Sequence, residues 1–293
     1  MARILLVFPG ALGDLVLLAP AAAALARRAR VETSVCRGLA PVAAALVPGA
    51  AGPAADGADV GTIFAAPSAA LRAWVEGADL VHAWLGAGRD DVGRGLREAG
   101  ARAVRCHAVV RGDGPRHASA DYAAALEVSG RLDPPACAAA DPCPLAWTAA
   151  PGARLVVHPG AGSAAKRWPV EGMRAVADAW RARGGEIVVL LGPAEEDDRE
   201  RWRASGHRVA SGLALGTAAA LVASAPRYLG NDSGISHLAG ALGRRGVVLF
   251  GPTRPERWRP LGGRLRPLGF AAAPSEVVGA LAASYLDTPT ADD

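Results

Sequence analysis

Residues 227–251 read RYLGNDSGISHLAGALGRRGVVLFG. A short apolar run gives way to Asn231-Asp232-Ser233-Gly234, a helical pattern follows over 234–242, and a second apolar run, GVVLFG, occupies 246–251. Strand, polar turn, helix and strand in that order describe a crossover between parallel strands, because parallel neighbours cannot be joined by a tight hairpin. Asp232 and Ser233 are strong helix-cap types. Gly234 leaves the following backbone N–H groups unobstructed, so the positive helix end faces whatever lies beyond the strand. His237 stands one turn after Ser233, on the same side. It reads either as a hydrogen-bonded core histidine or as a donor to a phosphate or ribose oxygen.

The same alternation extends outward. ARLVVHPG leads through a turn into a helix from Pro169 to about Arg183, EIVVLLG (186–192) into an acidic helix start at Glu195, and HRVASG into a helix near 217–224. Before them lies DPPACAAADPCPLAWTAAPG (133–152), with five prolines and little periodicity, which reads as an interdomain connection. The N-terminal half repeats the pattern. RILLVF (3–8) is a buried strand, DLVLLAPAAAALARRAR a helix in which Pro20 must sit in the first turns or make a kink, and VETSVC (31–36), ADLVHAWL (78–85) and AVRCHAVV (103–110) are further strands. Residues 48–62 read as loop, and SEVVGALAASYL (275–286) as a helix standing apart. The expectation is an α/β protein of parallel sheets with helices on both faces, in two halves separated by a cleft. The expected divisions are 1–145, 146–270 and a terminal helical segment, 271–293.

The bulk properties narrow the function. A chain of 293 residues accommodates two domains. Its charge of +4 and pI near 9.2 fit either a solvated arginine-rich surface or attraction to an anionic partner, and Lys166 is its sole lysine. No basic block or aromatic-basic interleaving points to nucleic acid. Cys36, Cys106, Cys137 and Cys143 form no C-x-x-C pair, so they read as free thiols in a reducing cytoplasm rather than metal ligands. The apolar N-terminus is interrupted by Gly10, Gly13 and Asp14 and does not read as a signal peptide. No apolar run reaches the length of a membrane span.

Three places where a strand ends and a helix begins stand out, since open α/β sheets bind ligands there. The first is Gly10-Ala11-Leu12-Gly13-Asp14. Asp14 reads as a helix cap or as a general base, and the glycines do not make a G-x-G-x-x-G fingerprint. The second is HPGAGSAAKRWP (158–169), whose Gly162, Ser163 and Lys166 suit an anionic phosphate although the order is not that of a Walker loop. The third is the opening stretch, with Asp232, Ser233, Gly234 and His237. Glu195 and Glu196 stand at another strand end, as ribose contacts or a solvated helix start. Arg254, Arg257 and Arg259 flank a ligand or are merely exposed.

GALGDLVLLAPAAAAL, HPGAGSAAKRWP and GNDSGISHLAGALGRRGVVLFGPT occur together and in order. In these stretches the chain resembles glycosyltransferase family 9, the ADP-heptose:lipopolysaccharide heptosyltransferases. The resemblance implies a GT-B fold, two Rossmann-like domains facing each other across a cleft, with acceptor on the N-terminal side and nucleotide-sugar donor on the C-terminal side. It implies a terminal helix that can return to the N-terminal domain. It assigns Asp14 as the base that deprotonates the acceptor hydroxyl, with inversion, and Ser163 and Lys166 as holders of the diphosphate. Asp232, Ser233, Gly234 and His237 match the donor motif, and Glu196, or else Glu195, falls near the ribose contact. The turn Gly10, Ala11, Leu12 and Gly13 lies on the acceptor side. The implied partners are a nucleotide sugar such as ADP-heptose and a glycan or glycolipid acceptor. No cofactor or metal is expected, and the location is cytoplasmic with room for peripheral contact with the inner membrane. A different donor sugar, a non-lipopolysaccharide acceptor or a non-catalytic nucleotide-binding module are the alternatives. Members often carry Arg in the first strand–turn, where this chain has Phe8-Pro9.

Overall fold

The computed structural model describes residues 1–283. The chain divides into two units, Met1–Pro135 and Ala136–Asp293. The division lies within the proline-rich connection, ahead of the expected 145/146. Residues after it are already tied to the second unit: the Cys137 amide donates to the Ala241 carbonyl, and the Thr148 and Ala149 amides donate to Glu186 Oε2.

The first unit contains β1 (Arg3–Phe8), α1 (Leu12–Ala26), β2 (Arg30–Val35), α2 (Ala40–Leu46), α3 (Ala58–Gly61), α4 (Ala69–Val75), β3 (Leu80–Ala83), α5 (Asp90–Glu98), β4 (Val104–Cys106) and α6 (Ala118–Ala125). Its four strands are all parallel, in the order β2-β1-β3-β4. β1 is central and buried on both faces, which is why ILLVF after Arg3 is continuously apolar instead of alternating. β4 is shorter than AVRCHAVV implied; it is an edge strand, and pairing with β3 covers only Val104–Cys106. Pro20 falls in the interior of α1, not its first turns, and is buried there. Its ring removes the amide that would bond the preceding turn.

The second unit contains β5 (Arg154–His158), α7 (Val170–Ala182), β6 (Glu186–Leu191), α8 (Arg199–Ala204), β7 (Arg208–Ser211), α9 (Leu215–Ser224), β8 (Arg227–Asn231), α10 (Gly234–Ala241), β9 (Arg245–Phe250), α11 (Pro255–Trp258), β10 (Arg264–Gly269) and α12 (Pro274–Ala283). Six parallel strands run in the order β10-β9-β8-β5-β6-β7. Val277, Val278, Ala280 and Leu281 of α12 join Met173, Val176 and Trp180 of α7 in this unit's core. The remainder of the expected terminal segment, 284–293, lies outside the described residues. No helix among the described residues is long and apolar enough to cross a membrane.

Candidate active site

The strand order of the second sheet reverses between β5, first in the chain, and β8. Ligands of open α/β sheets sit beyond the C-terminal ends of the strands at such a switch point. The two loops leaving those ends are the Gly-Ser-Lys turn after β5 and Asn231-Asp232-Ser233 after β8. Strand order alone therefore brings the second and third sequence motifs together.

Side chains complete the junction. Lys166, at the end of a 3-10 turn over Ala164–Lys166, places its Nζ 2.8 Å from Asp232 Oδ2. The same oxygen accepts a 2.7 Å bond from Thr253 Oγ1, in the loop after β9. Asp232 is buried, whereas the lysine is partly open to solvent. The ammonium thus neutralises a buried carboxylate, and its exposed side keeps donors for an arriving anion. Gly162 and Ser163 are exposed on the loop ahead of it. Asn231, which sequence reasoning passed over, is fully buried. Its Nδ2 donates to the Pro159 carbonyl at 2.7 Å and its Oδ1 accepts from the Trp168 amide at 3.0 Å. One amide thereby holds both ends of the loop that carries Ser163 and Lys166.

Ser233 is the cap of α10: its Oγ accepts from the Ser236 amide at 3.3 Å. Gly234 begins the helix, and His237 is buried within it. Under this terminus, Tyr228 Oη and Ser236 Oγ are 2.9 Å apart. Burial pushes the Tyr228 phenol well above its usual range, so it remains protonated. Gly246, opposite Tyr228 on β9, has φ +149°, and a Cβ there would lie 1.8 Å from the Tyr228 carbonyl oxygen. Only glycine fits.

The two glutamates after β6 diverge. Glu195 is buried, with Oε1 2.7 Å from Arg167 Nη2 and Oε2 accepting from the Gly192 amide at 3.2 Å. It backs the Gly-Ser-Lys loop so closely that a Cβ on Gly160 would be 2.5 Å from its Oε2. Glu196 is half-exposed and pairs with Arg199 one turn on. His158, at the end of β5, is buried with Nδ1 donating to the Leu190 carbonyl at 2.9 Å, and burial holds its pKa below the usual value. Arg257 is buried in α11, while Arg254 is exposed and near Glu256.

In the first unit, Asp14 is the third residue of α1, where a carboxylate meets the positive helix end. The residue in the cap position, Ala11, has no side chain to cap with. Asp14 Oδ1 accepts a 2.8 Å bond from Tyr122 Oη of α6. Gly10 is demanded by space, since a Cβ there would fall 2.5 Å from the Phe8 ring. Beneath the strand ends, His82 Nδ1 and His107 Nε2 are 2.8 Å apart, and the His107 and Trp84 ring centroids 4.9 Å apart. No group of three or more His, Cys, Asp or Glu that could hold a metal occurs among the described residues.

Residues 96–277 match the family model described as glycosyltransferase family 9 (heptosyltransferase). A search of the curated proteins finds no match. Among solved structures, a glycosyltransferase family 9 protein from Veillonella parvula is 19% identical with a TM-score of 0.76, covering 98% of both chains. The E. coli ADP-heptose lps heptosyltransferase II is 20% identical with a TM-score of 0.72, covering 98% of this chain and 99% of its own. E. coli heptosyltransferase WaaC with ADP is 20% identical with a TM-score of 0.65, covering 95% and 96%. These likenesses establish the two parallel-sheet units as a GT-B fold. With well over half its length inside the family model, the chain belongs to glycosyltransferase family 9, the heptosyltransferases, and is a glycosyltransferase.

Proposed function

We propose that the protein transfers heptose from ADP-heptose, with inversion, to a lipopolysaccharide-core-type glycan acceptor. The observation that carries this reading is the Lys166–Asp232 pair at the switch point of the second sheet. It places one partly exposed ammonium beside a helix N-terminus, the two features that hold a diphosphate. Support for ADP-heptose comes from the family and from the fold shared with E. coli heptosyltransferase WaaC, solved with ADP and with ADP-2-deoxy-2-fluoro heptose.

In this scheme Ser163, Gly162 and the N–H groups at Gly234 receive the diphosphate. Lys166 offsets the charge that grows on ADP as the glycosidic bond to the anomeric carbon breaks. Asp232 orients that ammonium, and Glu196 is the nearer candidate for the ribose hydroxyls because it is half-exposed whereas Glu195 is buried against Arg167. In the first unit, Asp14 removes the acceptor hydroxyl's proton as its oxygen attacks the anomeric carbon. No cofactor enters these steps. A nucleotide-sugar donor fits a cytoplasmic protein, and a lipid-linked acceptor would bring it to the inner-membrane surface.

The test incubates the protein with radiolabelled ADP-heptose and a panel of lipid A-core acceptors. Asp14→Asn should bind ADP as the wild type does and lose transfer by at least about 100-fold. Undiminished transfer by that variant removes Asp14 from the mechanism. No transfer by the wild type from ADP-heptose, with transfer from another nucleotide sugar, replaces the donor.

A further inference from the structure

The carboxylate assigned as base is not held by its own helix alone. Tyr122 Oη donates to Asp14 Oδ1 at 2.8 Å, across 108 residues of sequence. The tyrosine is fully buried. Its ring meets Phe8 edge-on, with centroids 5.8 Å apart and planes at 70°, and leans on Trp84 at 6.0 Å. Phe8 and Trp84 pack edge to face in turn, at 5.3 Å. The phenol oxygen therefore sits on a ring that packing prevents from turning away. Phe8 closes β1 and Trp84 follows β3, so the support is built on the ends of the two central strands.

We propose that Tyr122 is a positioning residue for Asp14: its O–H fixes the orientation of the carboxylate. A hydroxyl held at 2.8 Å by a packed ring fixes one carboxylate oxygen and so aims the other. A base must also be held close to its productive geometry, since a displacement of about 1 Å can cost on the order of 100-fold in rate. This proposal rests on Asp14 being the base.

The experiment compares wild type, Tyr122→Phe, Asp14→Asn and the double variant with ADP-heptose and a lipid A-core acceptor, alongside thermal melting and a crystal structure of Tyr122→Phe. Tyr122→Phe keeps the ring and its packing. Its kcat should fall at least about 10-fold with the donor KM within about 2-fold, and Asp14 should leave its present orientation. The double variant should be no slower than Asp14→Asn, because the hydroxyl acts only through the carboxylate. Wild-type kcat in Tyr122→Phe while Asp14→Asn is inactive overturns the positioning role and leaves the base intact. A further rate loss in the double variant, or a loss in Tyr122→Phe matched by a fall in melting temperature with Asp14 unmoved, also overturns it. Full activity in Asp14→Asn overturns the base and the positioning role together.

Discussion

Lys166 and Asp232 have opposite needs that one contact serves. Asp232 is buried and accepts from Lys166 and Thr253 at a single oxygen, so removing the lysine leaves a buried carboxylate with its charge uncompensated. Lys166→Ala should therefore weaken ADP binding by about 10- to 100-fold, the range of a charge-assisted hydrogen bond, and should also lower the melting temperature. Lys166→Ala/Asp232→Asn separates the two effects. Melting should recover, because the unpaired charge is gone, while calorimetry still reads weakened ADP binding. An ADP affinity unaltered in Lys166→Ala would remove the lysine from the phosphate site. The lysine was legible in the sequence as the one ammonium in an arginine-rich chain, and Ser233 and Asp232 as cap types. Which of them caps was not legible, because both have the right chemistry; geometry gives the cap to Ser233 and the ion pair to Asp232. Tyr122 carried no signal at all, since its partner is 108 residues away.

At the level of elements, β5, β8 and the helices after them were visible because continuous apolar runs alternate with capped helical patterns. β10 was not: RLRPLG contains Pro267 and charged residues, which only an edge strand tolerates. Nor could spacing show that β5 and β8 are neighbours, since their order is decided by how helices cover the sheet. Asn231 is where that adjacency becomes a site. Replacing it with alanine would leave the Pro159 carbonyl and the Trp168 amide buried without their partner. Asn231→Ala should cost roughly 2–4 kcal/mol in urea unfolding, from two buried hydrogen-bonding groups left unmet. It should also weaken ADP binding, because the Gly-Ser-Lys loop loses both its anchors. Loss of stability with unchanged ADP affinity would mean that the loop holds its shape without β8.

Across the whole molecule, the histidines set a shared acid limit. Of the six in the chain, His82, His107, His158 and His207 all have pKa values held below the usual 6.5, chiefly by burial. They belong to both units, so neither is spared. His82 is lowered to about 4 by burial and then by His107 and Arg105, with Glu127 opposing. A group whose folded pKa lies below its unfolded value takes up its proton first in the unfolded chain as pH falls. Its contribution is thus fully present above about 6.5 and is lost progressively toward 4. By pH 4.5, His82 alone should remove on the order of 2 kcal/mol of stability. The lowered carboxylates, such as Glu32 beside Arg3, add their losses only at still lower pH. Melting temperature should consequently decline between pH 6.5 and 4.5, and His82→Asn should flatten part of that slope relative to its own value at pH 7.5. A melting temperature constant over this interval would show that the His82–His107 pair titrates as solvent-exposed imidazoles do. It would also remove the buried imidazoles as the source of acid sensitivity.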